Sequence, residues 1–281
     1  MPAVFVLIWS TGFIVARYAM PHAPPMKFLM GRYVCSVLAF MVWIAWAKVA
    51  WPRGRQQWMH LAVTGVLMHG GYLGGVWMAV RHGMGSGLTA LVVGLQPVLT
   101  AVWISHQGGT VTRRQWAGLS LGFAGLVLVV WRKLVESHEV TPFTLSMAVL
   151  ALLSITVGTL YQKRHVQPCD VRTANCVQLM AAGLITLPFA LMESDPVLWH
   201  SDLIGAMAWS VLGLTLGGSS LLYMLIQRGA AASVTSLMYL VPPTTAIMAW
   251  ILFAEPLTPL TLVRSEEHTS ELQSQSTISY A

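Results

Sequence analysis

A succession of long apolar runs, almost empty of charge, restricts this chain more than any other feature. A helix needs about 20 mostly apolar residues to cross a bilayer. Such runs lie at about 3–20, 27–47, 59–80, 87–105, 115–131, 142–161, 173–192, 203–226 and 231–254. Arg17 and Arg32 stand within them, both near the same membrane face, where a long side chain can snorkel to water. Composition agrees, with 56% hydrophobic and 9% charged residues and a mean hydropathy of +0.65. A soluble domain carries about 25% charged residues, and a disordered chain is poor in apolar ones. Both classes are excluded, and an all-α integral membrane protein is expected.

The net charge of +6 does not point to nucleic acid, because the basic residues sit singly or in pairs between apolar runs. They report orientation instead. Loops on one side carry Lys48, Arg53, Arg55, Arg113, Arg114, Lys163, Arg164, Arg172 and Arg228, and the other side carries Arg17, Lys27, Arg81, Arg132 and Lys133. The richer side is expected in the cytoplasm, which puts the N-terminus inside. The first run lacks a basic leader and a small-residue cleavage site, so it reads as a retained span. Trp46, Trp51, Trp58, Trp131 and Trp199 stand near span ends, as an interfacial belt requires. The three cysteines, Cys35, Cys169 and Cys176, have no metal or disulfide spacing. No cofactor and no metal site are expected.

Comparing the chain with itself at an offset of 146 residues pairs Gly12 with Gly158, Arg17 with Lys163, Arg32 with Gln178, Gly71 with Gly217, Met78 with Met224 and Pro97 with Pro243. One ungapped register serves several spans. Five spans per copy means that the second copy enters the membrane from the opposite side, as an inverted repeat. The loop charges agree, since Lys48, Arg53 and Arg55 fall on Ser194, Trp199 and Ser201. Two five-helix halves are therefore expected, at 1–134 and 141–264. The register asks for a tenth span at 262–277, but that window reads LVRSEEHTSELQSQST and is too polar to cross unaided. The segment SEEHTSELQS resembles translated sequencing-adaptor sequence. Residues 265–281 are read as a tail that is not native, leaving nine of ten spans.

The run Ile8-Trp9-Ser10-Thr11-Gly12-Phe13 resembles the tryptophan-small-small-x-Phe opening of EamA-type transporters of the drug/metabolite transporter superfamily. Phe28-Leu29-Met30-Gly31-Arg32-Tyr33 resembles that family's second-span arginine motif, and Thr156 to Arg164 its sixth span. Leu240-Val241-Pro242-Pro243 through Ala254-Glu255-Pro256-Leu257-Thr258 resembles its ninth. The resemblance covers about 1–264 and departs in two places: Gly109 stands where Glu255 would have its first-half counterpart, and the tenth helix is missing. It implies a multi-pass protein of the bacterial inner membrane, not an enzyme, that exports small metabolites, amino acids or their derivatives, by alternating access. Its expected partners are a small-molecule substrate and lipid, with a homodimer left open and nucleic acid excluded.

No lysine follows a glycine, so there is no Walker A loop and ATP-driven pumping by this chain is not expected. Intramembrane polar groups are costly without partners, so several should line a wet central cavity. The candidates are Trp9, Thr11, His69, Tyr72, Trp77, Gln96, Gln178, Ser219, Tyr223 and Tyr239, with Arg32 as the motif arginine. Each has a plainer role available: a Ser, Thr or Tyr bonding a nearby carbonyl, a Trp in lipid or core, a satisfied structural histidine. His69 is the best-placed titrating group for proton coupling, yet it has no charged partner in the pattern, so a facilitator or exchanger is favoured over a proton-linked pump. Pro97, Pro242 and Pro243 are expected to kink or hinge spans four and nine. Gly70, Gly71, Gly74 and Gly75, with Gly213 and Gly217, and with Gly118 and Gly122, form small-xxx-small surfaces for close helix packing. Two rival readings are an intramembrane serine-type enzyme, using Gly85-Ser86-Gly87 with His69 or His82, and a non-transporting membrane interaction protein.

Overall fold

A computed structural model describes residues 2–107, 140–227 and 240–253, with scattered positions between 113 and 127. The described residues form helices α1 (Pro2–Ala19), α2 (Pro25–Ala47), α3 (Arg55–Arg81), α4 (Ser86–Val93), α5 (Gln96–His106), α6 (Pro142–His165), α7 (Val171–Met192), α8 (Ser201–Gln227) and α9 (Val241–Phe253). Six helical stretches are long and apolar enough to span a bilayer, and two shorter apolar helices accompany them. The lipid-facing character is plain at Leu38, Val42, Leu184 and Leu191, all well exposed. In water such a surface would drive association. Trp46 and Trp199 are exposed at helix ends, and Trp51 stacks on Trp58 at 5.7 Å. Trp131, Gly122, Glu255 and residues 265–281 lie outside the described residues.

Local chemistry accounts for the helix ends. Pro25 and Pro142 occupy first turns, where the missing N–H costs nothing. Thr141 caps α6 and exchanges hydrogen bonds with Thr144 in a capping box. Asp170 caps α7 by accepting from the Arg172 N–H at 2.9 Å. The chain leaves α3 through Gly83 at φ +100°, a backbone conformation that a side chain would strain.

The third and eighth spans depart from a uniform α-helix. Val66–Gly71 in α3 and Ser210–Ser219 in α8 are π-helical. Shifted by 146 residues, the first segment falls on 212–217, inside the second. The two halves thus carry the same distortion at the same place. The π segment of α3 packs against α6 and α7, and that of α8 against α1 and α2. Each half therefore seats its third helix on the first two helices of the other. Gly65 permits the tightest of these contacts, because a Cβ there would overlap the Gln178 carbonyl. Gly71 and Gly75 likewise lie against Ser154, Met147 and Ala151 of α6. Of the second-half pair, Gly213 packs on the Trp209 ring of its own helix and Gly217 faces Ile8.

The three prolines expected to kink or hinge spans four and nine stand at helix beginnings, whereas Pro188 lies inside α7. Pro97 sits in the first turn of α5, after a break at Gly94–Leu95 that divides the fourth span. Pro242 and Pro243 sit in the first turn of α9. A Cβ on Gly94 would run into the Pro242 ring, so the two segments meet where the repeat register puts them.

Candidate functional site

Arg32 projects from α2 into the space between the halves and is only 4% exposed. It lies seven residues beyond the helix start, about 10 Å along the axis. Its Nε donates to Thr215 Oγ1 at 3.1 Å, in the π segment of α8. That hydroxyl is oriented by its own bond to the Ser210 carbonyl, 2.8 Å away and five residues back. Among the described residues Thr215 is the one hydrogen-bond partner of Arg32, and no carboxylate pairs with it. A guanidinium offers five N–H donors, and four of these remain for other use.

Arg32 lines a cavity of about 30 Å³ with Trp9, Gly12 and Phe13 of α1, Met68, His69, Tyr72, Leu73, Val76 and Trp77 of α3, and Leu214 and Ser219 of α8. That volume holds roughly two waters. The wall is aromatic and ordered. Trp9 stacks on Tyr72 with centroids 6.1 Å apart and planes 3° from parallel, and Trp77 stacks on Phe28 at 4.4 Å. Tyr33 donates from its hydroxyl to the His69 carbonyl at 2.7 Å, using an acceptor within the π turn. The His69 side chain is engaged by Gln178, and Gln178 Nε2 donates to Gln162 Oε1 at 3.4 Å.

These contacts repeat a single junction. Arg32 corresponds to Gln178 and Thr215 to His69 at the 146-residue offset. Arg32 with Thr215 and Gln178 with His69 are therefore the same second-helix-to-third-helix contact, made once in each direction. Only the first contains a formal charge.

Of the residues expected from the sequence, the structure gathers Trp9, His69, Tyr72, Trp77, Ser219 and Arg32 around the cavity. Gln178 lies directly behind His69. Thr11 lies outside the lining, donating to the Ile8 carbonyl at 2.6 Å and accepting from Trp209 Nε1 at 2.8 Å. Gln96 is buried beside Thr159 at 3.3 Å. Tyr223 belongs to a separate cluster with Leu61, Ala174 and Val177, its hydroxyl 3.0 Å from Cys169 Sγ. Tyr239 lies outside the described residues. Ser86 and His82 are not in the cavity lining, and His82 Nδ1 lies 2.8 Å from the Met78 carbonyl of its own helix. Thr215 was the residue missed. Composition did not single it out, but the repeat register pairs it with His69.

The EamA-like transporter family matches this chain at residues 3–131 and 142–264, and the chain belongs to that family. It is 24% identical to an uncharacterized transporter of Archaeoglobus fulgidus over 255 residues, which is 88% of this chain and 86% of that one. It is 22% identical to the uncharacterized inner membrane transporter YedA of Escherichia coli, covering 92% of this chain and 84% of the relative. A protein of Salmonella typhimurium named a "probable amino-acid metabolite efflux pump" is 25% identical, with 92% and 87% covered. One crystal structure shares the fold at 15% identity with a TM-score of 0.73, over 96% of this chain and 92% of that one. This is a membrane protein of a transporter family.

Proposed function

We propose that the chain exports small carboxylate-bearing metabolites, amino acids or their derivatives, from the cytoplasm by alternating access. The observation that carries this reading is Arg32: a buried cation at a cavity between the halves, with one neutral partner and no acid among the described residues. An uncompensated buried charge costs several kcal/mol. A substrate carboxylate would supply the missing charge through a two-point bond that a guanidinium makes well. The aromatic faces of Trp9, Tyr72 and Trp77 would take the apolar part of the substrate. The efflux name of the Salmonella relative points to the same substrate class.

A cavity of about 30 Å³ cannot enclose an amino acid. Binding therefore requires the halves to separate, and the cross-seated π segments are the surfaces that would slide. The favoured energetics are those of a facilitator or exchanger. Purified protein in proteoliposomes, loaded with a panel of labelled amino acids, N-acyl amino acids, amines and sugars, tests the assignment. Saturable efflux of carboxylates is expected, with little flux of amines or sugars. Equal flux of amines, or none of any carboxylate, would contradict it.

A further inference from the structure

At the end of the bundle formed by residues 20–24 and 193–200, two histidines and an aspartate from different halves converge. His22 leads from α1 towards α2, while His200 and Asp202 begin α8. His22 Nε2 lies 3.9 Å from Asp202 Oδ2, and His200 Nδ1 lies 3.4 Å from the same oxygen. One donor atom from each residue falls within 4.8 Å of the other two. The imidazoles stack with centroids 4.6 Å apart. The pairing is held by backbone, since the Leu198 N–H donates to the His22 carbonyl at 2.8 Å.

We infer that His22, His200 and Asp202 form a binding site for a divalent transition metal of the zinc class, bridging the two repeats. The arrangement of lone pairs supports this. His200 Nδ1 accepts from the Asp202 N–H at 3.3 Å while capping α8, so it is the unprotonated nitrogen of that ring, and a metal would take its one lone pair in place of this long hydrogen bond. An anionic oxygen stands beside it at 3.4 Å. A cation between these two atoms would be attracted by both. The neighbouring cations are committed elsewhere: Arg81 pairs with Asp195 at 3.2 Å and donates to the Met20 carbonyl, and Lys27 Nζ donates to the Asp195 carbonyl at 2.7 Å. Glu193 is spent on the Met26 and Lys27 N–H groups at the start of α2.

Imidazole nitrogens with a carboxylate suit Zn²⁺, Cu²⁺ and Ni²⁺, and not Ca²⁺ or Mg²⁺. Metal–ligand bonds of about 2.0–2.1 Å in a tetrahedron separate donors by about 3.3 Å. Two of the donor pairs stand at 3.4 and 3.9 Å. The rings are stacked 12° from parallel, so the partly exposed His22 must rotate out of the stack to aim its lone pair at the same point, and water can fill the fourth position. A bound metal would tie a first-half loop to the start of α8. It would thus hold this end shut, a consequence that rests on the alternating-access reading.

The test is Zn²⁺ titration of the full-length protein in detergent, read by competition with a chromophoric chelator, together with Co²⁺ ligand-field absorption. Stoichiometric binding is expected, weakened at least tenfold in His22→Ala and in Asp202→Asn. The Asp202→Asn variant preserves the helix start. His165→Ala, at the opposite end beside His60 and Tyr161, controls for adventitious histidine binding and should be unchanged. Failure of the wild type to bind, or binding that survives His22→Ala, would overturn the site. Zn²⁺ is also expected to slow proteoliposome flux in wild type and not in His22→Ala. Stoichiometric binding without slowing would overturn the clamp alone.

Discussion

The two junctions between the halves share a backbone and differ in chemistry. At one, Arg32 of α2 meets Thr215 in the π segment of α8; at the other, Gln178 of α7 meets His69 in the π segment of α3. The Gln178 junction is tightly packed, with Gly65 letting α3 rest directly on the Gln178 backbone, while its His69 shares the cavity wall with Arg32. The counterpart of Gly65 is Val211, so the Arg32 junction has no such glycine. There a charged side chain stands in the cavity wall. Inverted duplication repeats the framework, and single substitutions then give the two copies different chemistry.

The largest effect should come from removing the asymmetry in packing. Gly65→Ala places a methyl group on a carbonyl oxygen and should destabilise the fold by roughly 3 kcal/mol. It would be read as a fall in melting temperature and monodisperse yield. Val211→Ala, at the equivalent place, should cost about 1 kcal/mol. Equal losses would mean that the two junctions are packed alike.

Next comes the charge. Arg32→Gln should lower carboxylate flux on the order of 100-fold, the scale for removing one member of a buried charge pair, with yield unchanged. Thr215→Val removes only the neutral bond and should cost about threefold to tenfold. A Thr215→Val defect as large as that of Arg32→Gln would move the emphasis from charge to positioning.

The other junction predicts a smaller response. Flux with and without an imposed pH gradient should agree within about twofold, for wild type and for His69→Gln, because the buried His69 ring has no acid beside it among the described residues. A gradient dependence abolished by His69→Gln would make this junction the coupling element and reverse the comparison.

A modest effect on stability, not on flux, concerns the helix that carries Gln178. The Arg172 guanidinium and N–H hold the Asp170 carboxyl below its ordinary value of 3.8. A lowered carboxylate stabilises the fold fully above its unfolded value and loses that contribution as pH falls through the lower folded one. Asp170→Ala should therefore cost about 1 kcal/mol at neutral pH, with the difference from wild type shrinking below about pH 4. Asp170→Asn keeps a capping oxygen and should lose less. Thermal unfolding in detergent across that range measures both.

Span positions were legible because an apolar run of bilayer length is a strong signal, and the run over 142–161 is the body of α6, which the structure extends to His165. The π segments were not, since a helix apolar on every face has no polar stripe whose phase could betray an extra residue per turn. The same lack of a stripe hid the direction of Thr11, which turns to Trp209, and of Tyr223, which turns to Cys169. His69, Tyr72 and Trp77 were found as polar or aromatic exceptions within an apolar helix. Thr215 was within reach through the register, because its counterpart His69 had already been singled out.

The central claim is that Arg32 reads a substrate carboxylate. The most direct test compares efflux of an amino acid with efflux of its uncharged carboxamide, in the same proteoliposomes, for wild type, Arg32→Lys and Arg32→Gln. A strong preference for the carboxylate is expected in wild type, a reduced preference with lysine, which keeps the charge and loses the two-point bond, and no preference with glutamine. A carboxylate-to-carboxamide ratio that is the same in wild type and Arg32→Gln would contradict it.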